Sequence, residues 1–423
     1  MESEKAQIKK IKEVILQVLI WTFYAVLIGA VVGAVGFAFD KCLEFCTEFR
    51  TQHDFMLLLL PVAGLLIVGL YNLLGVREPL GTNRVLLAVH QGDQVALRVA
   101  PMIFISTALT HICGGSAGRE GAALQLGGSI ASFLGRKLGF AKPDTRVITM
   151  CGMAAGFSAL FGTPLASSIF AMEVAANEIS YATLYPCLLS ALTAKLTAGL
   201  LGGEATSFSI TAFPQFTILT VGKVMLAALI IALVSIVFIN ALHMAASLYA
   251  KYFETPYLRI LIGALAIILL SFAVGNRDYN GAGMDVIRRA VAGNAVWYGF
   301  LLKIVFTALT LGAGFKGGEI VPTFYVGSTL GCVIGPLLGL PAGFCAGLGM
   351  IAMFCAVTNC PLASMFLAYE LFGGEGLILF AVACAVSYVV SGDYSLYAAQ
   401  KLQYSKLYFR KKNREEDASH EHA

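Results

Sequence analysis

The chain has 423 residues, of which 58% are hydrophobic and only 13% charged, with a formal net charge of +4. Soluble domains carry about 25% charged residues, and mean hydropathy here is +0.79, so a water-soluble enzyme is excluded and an integral membrane protein is expected. Much of the positive charge sits at the ends, in Lys5, Lys9, Lys10 and Lys12 and in Arg410, Lys411, Lys412 and Arg414. Because both clusters abut membrane segments, they argue against a nucleic-acid surface. They predict both termini in the cytoplasm and so an even number of crossings.

Taken in order, residues 1–13 read as a short amphipathic cytoplasmic helix. No Asp, Glu, Lys or Arg interrupts 14–39, 55–76 or 224–250, and each run is long enough for a bilayer core of about 30 Å. The first run is too long, and too poor in a small-residue cleavage site, to be a signal peptide. A break follows the second run at Arg77-Glu78-Pro79-Leu80-Gly81-Thr82-Asn83-Arg84, and apolar helix resumes at Pro101. The chain then becomes glycine-rich from Gly114 to Gly128, with Arg119 and Glu120 side by side. Segments at 147–161, 164–175 and 181–201 close a first half, and 202–222 reads as a polar connection. The second half repeats the plan: spans near 224–250 and 257–275, a polar region, a span at 297–311, and a second glycine-rich break from Gly312 to Pro322. Segments at 323–338, 342–357, Pro361–Phe372 and Leu377–Val390 follow. The expected division is therefore 1–13, 14–201, 202–222, 223–400 and a cytoplasmic tail, 401–423.

Internal similarity supports two repeats. The run from Thr163-Pro164-Leu165-Ala166-Ser167 to Glu173 overlays that from Cys360-Pro361-Leu362-Ala363-Ser364 to Glu370. Gly115 precedes Pro164 by 49 positions, and Gly317 precedes Pro361 by 44. Paired halves with glycine-interrupted segments mark an inverted-repeat transporter with its site at the repeat interface. Many of these helices are shorter than about 20 residues, so they tilt or stop inside the bilayer.

A glycine-interrupted helix exposes the first free N–H groups of the helix that follows. Those groups suit an anion without any cation, and Glu120 stands where that anion would sit. Helix-end dipoles favour its charged form and desolvation its neutral form, so anion and proton can compete there. The alternative is a plain pairing with Arg119, although sequence neighbours do not face each other along a helix. Glu319 in the second break is a second intramembrane carboxylate, either a proton station or a partner of Lys316, three residues away. Glu173 and Glu370, at matching ends of repeat helices, read as structural. His111, on an apolar helix end, reads as a satisfied core residue. The ten cysteines follow no zinc or disulfide spacing and read as small buried hydrophobes.

These residues resemble the CLC family of chloride channels and anion/proton antiporters over about residues 15–400. Gly118-Arg119-Glu120-Gly121 is similar to G-R-E-G-P, with Ala122 in place of the proline. Gly312-Ala313-Gly314 through Pro322 is similar to G-S-G-x-x-G-G-x-F-x-P, with Glu319-Ile320-Val321 inside it. Lys303 and Thr307 precede that motif as in family members. Leu396-Tyr397 is similar to the P-L-Y that supplies the inner-gate tyrosine; a packing role for Tyr397 is its alternative. Gly81-Thr82-Asn83 takes the place of G-S-G-I-P. Val174 stands where family antiporters often carry an inner glutamate. This set of departures resembles the fluoride-exporting branch.

The resemblance implies an all-α polytopic membrane protein of two inverted repeats with broken, tilted helices. It implies a fluoride/proton antiporter of the cell membrane, exporting fluoride on the proton gradient. A chloride/proton antiporter or chloride channel is the alternative. Glu120 and Glu319 would gate and transfer protons. Thr82, Asn83, Gly118, Arg119, Gly121, Ala122, Ile320, Val321 and Tyr397 would line the anion site, with the amide of Asn83 and the backbone N–H groups as donors. No cofactor or metal is expected. The partners would be the anion, protons, lipid and a second copy of the chain, docked through 164–175, 181–201, 361–372 and 377–390. An intramembrane enzyme is disfavoured, because no histidine is spaced to work with either carboxylate.

Overall fold

The computed structural model describes residues 2–75, 81–175, 180–400 and 406, and among these every named element is helical. The first half holds α1 (Glu2–Gln52), α2 (Leu60–Leu73), α3 (Thr82–Gln91), α4 (Val99–Ile112), α5 (Glu120–Lys137), α6 (Lys142–Phe161), α7 (Pro164–Ala175) and α8 (Leu184–Leu200). The second holds α9 (Ile218–Tyr252), α10 (Pro256–Val274), α11 (Met284–Val291), α12 (Gly299–Gly312), α13 (Ile320–Leu337), α14 (Ala342–Thr358), α15 (Pro361–Phe372) and α16 (Leu377–Val390). Residues 76–80 of the first polar break, and the tail apart from Lys406, lie outside the described residues.

Two boundaries differ from the sequence reading. Residues 2–13 do not form a separate helix but are the first turns of α1. No Gly, Pro or capping residue stands between Lys5 and Val14 to end a helix there. The connection between halves ends at Thr217 rather than Gly222, because the Thr217 hydroxyl accepts a hydrogen bond from the Thr220 N–H (3.1 Å) and starts α9.

The repeats run in a nearly constant register. Helices α4 and α12 begin at residues 99 and 299, α5 and α13 at 120 and 320, and α6 and α14 at 142 and 342, an offset of 200 each time. The offset falls to 197 at α7 and α15, which begin at 164 and 361. Gly115 therefore corresponds to Phe315, not to Gly317; the spacing of glycines alone put the second break two residues out of register.

Among the described residues, five helical segments are long and apolar enough to cross a membrane, including α1, α9 and α10. In contrast α4 and α12 have 14 residues and α7 and α15 have 12. At 1.5 Å per residue they reach about 18–21 Å, so they stop inside a core of about 30 Å. Close packing makes this possible. Gly127 lies on the backbone of Gly152 between α5 and α6, and Gly327 on that of Gly349 between α13 and α14, where a Cβ would not fit.

The shared ends of α7 and α15 are joined reciprocally. The Glu370 carboxylate accepts from the N–H groups of Leu165 (3.0 Å) and Ala166 (2.8 Å) at the start of α7. The Glu173 carboxylate accepts from Leu362 (3.2 Å) and Ala363 (2.8 Å) at the start of α15. Each carboxylate satisfies two N–H groups that a helix start leaves unpaired. Glu173→Ala or Glu370→Ala should therefore cost about 1–3 kcal/mol, the range for an orphaned buried donor. Denaturant unfolding of purified protein in micelles measures this, and an unchanged midpoint would show that the caps carry no weight.

Candidate functional site

The site is built where the two glycine breaks meet. The Gly118 N–H donates to the Gly318 carbonyl (2.6 Å), and the Gly318 N–H donates to that of Gly118 (2.7 Å), an isolated antiparallel bridge. Flanking side chains repeat the symmetry. The Ser116 N–H donates to the Thr310 hydroxyl (3.0 Å), and the Lys316 N–H to that of Thr110 (3.3 Å). Immediately after the bridge α5 and α13 begin, with Arg119 and Glu319 as their N-caps. The two helix N-termini are thus pinned close together, where their free N–H groups and dipoles add. A Cβ on Gly318 would stand 2.5 Å from the Gly121 nitrogen, so the approach requires glycine. Ala122, Ile320 and Val321 are fully buried against this crossing.

Glu120 is fully buried at the first position of α5. One carboxylate oxygen accepts from the Arg119 N–H (3.0 Å). The other lies 3.4 Å from Arg119 Nε and makes no hydrogen bond. The expectation that adjacent residues cannot face each other needs correction, because Arg119 caps the helix rather than lying within it. Its main ion partner is Asp40, on α1, which the sequence reading missed. The available signal was that Asp40 is the first charge after the uninterrupted run 14–39.

A cavity of about 240 Å³ opens beside the crossing, lined by Thr82, Asn83, Gln125, Lys316, Glu319 and Tyr397. One oxygen of Glu319 and the hydroxyl of Tyr397 are buried there without hydrogen-bond partners. Lys316 does not pair with Glu319; its ammonium lies 4.9 Å from the centre of the Tyr71 ring. The Thr82 hydroxyl donates to the Gly121 carbonyl (3.3 Å), as does the Gln125 amide (3.1 Å). Thr82 thus spends its proton on the backbone instead of offering it to an anion, and Gln125 joins the site unforeseen. It lies on α5 one turn after Gly121, inside a run that reads as packing. Asn83 Oδ1 accepts from the Ala399 N–H (3.0 Å), which leaves the amide NH₂ as its remaining donor.

A larger cavity of about 730 Å³ is lined by Asp40, Arg50, His111, Gly114, Arg119 and Asn280, with further charged residues around it. His111 donates from Nε2 to the Gly118 carbonyl (3.3 Å), a satisfied buried histidine. Glu120 lines neither cavity. It is enclosed between Arg119, which faces the larger one, and Gly121, held by Thr82 and Gln125 of the smaller. Gly118, Arg119, Glu120, Gly121, Ala122, Glu319, Ile320 and Val321 are thus brought to one crossing, with Thr82, Asn83 and Tyr397 on one side of it. No cluster of metal-ligating residues occurs among the described residues.

Known proteins share this architecture. The family model described as voltage gated chloride channel matches residues 77–392. The chain is 37% identical over 365 residues to a chloride/fluoride channel protein of Pseudomonas syringae pv. tomato, covering 84% of this chain and 81% of that one. Its structure superposes on a crystal structure of a CLC-type fluoride/proton antiporter with a TM-score of 0.88 at 37% identity, covering 92% of this chain and 99% of that one. A slow cyanobacterial Cl−/H+ antiporter superposes with a TM-score of 0.76 at 18% identity, covering 88% and 94% of the two chains, which speaks to the fold alone.

The link between Asn83 and Ala399 is open to direct measurement. Asn83→Ala removes the acceptor, so hydrogen exchange at the Ala399 amide should quicken about fivefold to tenfold, for a bond worth about 1 kcal/mol. Exchange as slow as in the parent chain would mean that the segment around Tyr397 is held by other contacts.

Proposed function

This chain belongs to the voltage gated chloride channel family, and from that premise we propose that it is a fluoride/proton antiporter that expels fluoride on the proton gradient. One observation carries the proposal. Two carboxylates, the fully buried Glu120 and the half-buried Glu319, each leave one buried oxygen without a hydrogen bond at the same pair of helix N-termini. An oxygen in that condition is poised to take a proton or to yield its place to an anion. An anion arriving from the smaller cavity meets the helix ends and repels the Glu120 charge. Proton uptake relieves that repulsion, and neutral Glu120 leaves the position. Anion movement one way is thereby coupled to proton movement the other way. Glu319, on the smaller cavity, supplies the proton station that Val174 lacks.

Fluoride is small and accepts hydrogen bonds strongly, so its site needs donors to replace water. The Asn83 NH₂, the Tyr397 hydroxyl and the N–H groups at the starts of α5 and α13 are of that kind. The names of the two similar proteins at 37% identity, a chloride/fluoride channel protein and a fluoride/proton antiporter, support the same anion. As part of the proposal, both termini lie in the cytoplasm of a bacterial cell, and the repeats occupy about residues 14–201 and 223–400. The molecule works as a homodimer in lipid, docked through α8, α15 and α16. Leu192, Leu196 and Leu200 stand exposed in one stripe along α8, and Leu362 and Phe366 stand exposed on α15. α7 buries most of its side chains within the subunit, so its share is small.

Flux from proteoliposomes, with fluoride, chloride and pH recorded together, tests the proposal. Glu120→Gln should abolish proton movement with fluoride, and Glu319→Ala should slow or uncouple it. Full coupling in either variant removes that residue from the proton path. Losing a donor to a charged ligand costs about 1.5–3 kcal/mol, about one to two orders of magnitude in affinity. Asn83→Ala should therefore weaken fluoride handling by that order and chloride less, so that the fluoride-to-chloride preference shrinks; an unchanged ratio defeats the donor argument. A parent protein that moves chloride and no fluoride defeats the anion assignment itself.

A further inference from the structure

The cations lining the larger cavity are engaged with one exception, while Glu48, Asp54 and Glu204 stand exposed around it and form no ion pair among the described residues. Arg119 is paired with Asp40, Lys41 with Glu44 (2.7 Å), and Arg288 with Asp285 (3.1 Å). Arg277 lies over the Phe272 ring, 5.1 Å from its centre. Arg50 differs. Among the described residues it forms no ion pair and no side-chain hydrogen bond, and its Nε is buried without a partner.

We propose that Arg50 forms an anion-binding station in the larger cavity, separate from the crossing at Glu120, that takes up small inorganic anions moving to or from that face. The claim that the anion is fluoride rests on the proposed function above. The side chain lies against Gly114 and Gly281, so that a Cβ on Gly281 would come within 2.8 Å of Arg50 Nη2 and one on Gly114 within 3.5 Å of its Cδ. Both glycines have positive φ, 83° and 64°. Neither carries a side chain that could cover the guanidinium. The surrounding polar groups are already engaged in shaping the floor. Asn280 Nδ2 donates to the Gly114 carbonyl (2.9 Å), and Lys303 Nζ donates to that of Gly281 (2.7 Å).

A partly buried guanidinium with no carboxylate in contact is unfavourable unless something mobile comes to pair with it. Arginine stays charged at any working pH, so the position cannot relieve itself by losing a proton. A fixed carboxylate beside it would neutralise it permanently and close it to anions. A transported anion neutralises it and then moves on. Arg119 cannot serve in this way, because Asp40 already holds it.

Membrane vesicles prepared right-side-out and everted present opposite faces of the same protein. Initial uptake is measured in both against graded fluoride and, separately, graded chloride. Arg50→Gln should raise the half-saturating anion concentration about tenfold at the face bearing the larger cavity, with the opposite face unchanged. Arg50→Lys should recover part of the loss. No change at either face, or an equal rise at both, overturns the proposal. Should Arg50→Gln fail to accumulate, Arg50→Lys alone decides, since a point charge in place of the fork should still shift one face only. If the parent vesicles carry chloride and no fluoride, the fluoride assignment fails while the Arg50 station is judged on the chloride curves.

Discussion

Two backbone hydrogen bonds, exchanged between Gly118 and Gly318, are the constraint on which the rest of the molecule depends. Inside hydrocarbon an unsatisfied N–H or carbonyl costs several kcal/mol, so a chain cannot simply stop being helical halfway across. Here each break satisfies the other. α4 and α12 can end early, α5 and α13 can restart, and the restarting N-termini are forced to face one another. The Ser116 to Thr310 and Lys316 to Thr110 bonds extend the same two-fold arrangement by one layer. A side chain at Gly318 would separate the two backbones, and with them the pole of positive dipole that the crossing creates.

The backbone is symmetric, whereas the charges are not. Arg119 and Glu319 occupy equivalent N-cap positions of α5 and α13. One faces the larger cavity beside Asp40; the other faces the smaller cavity beside Tyr397. The same fold thus presents a cation toward one side of the crossing and a carboxylate toward the other. An anion approaching from the two sides meets different fields, and the crossing gains a direction that its symmetry alone would deny it. Where no direction is required, the symmetry returns intact, as in the reciprocal caps by Glu173 and Glu370.

Much of this was legible in the chain. Glycine breaks, intramembrane carboxylates and doubled segments are local patterns, and each has a local physical cause. What escaped was long-range. Asp40 lies 79 positions from Arg119, and nothing near either residue names the other. Gln125 looks like one more residue of a packed helix until its amide is seen on the Gly121 carbonyl. The register of the repeats was misread by two residues because glycines were matched to glycines. The backbone instead matches hydrogen-bonding positions, and Phe315 can stand where Gly115 does. Lys316 was a reasonable partner for Glu319 by spacing, yet its ammonium goes to the Tyr71 ring, a contact between elements that spacing does not reveal.

The unfilled hydrogen-bonding capacity is distributed unevenly. Around the crossing the hydroxyl of Tyr397 and one oxygen each of Glu120 and Glu319 are buried and unpaired. Thr82, Gln125, His111 and Ser116 have all found partners in the protein. Each such orphan costs about 1–3 kcal/mol while empty, a cost that a partner arriving from outside would remove. In the proposed exchange, the Tyr397 hydroxyl would donate to the anion and a carboxylate oxygen would take the proton. The two requirements lie on one short path and oppose each other electrostatically. Filling one therefore alters the demand for the other, and that mutual dependence is the physical content of exchange.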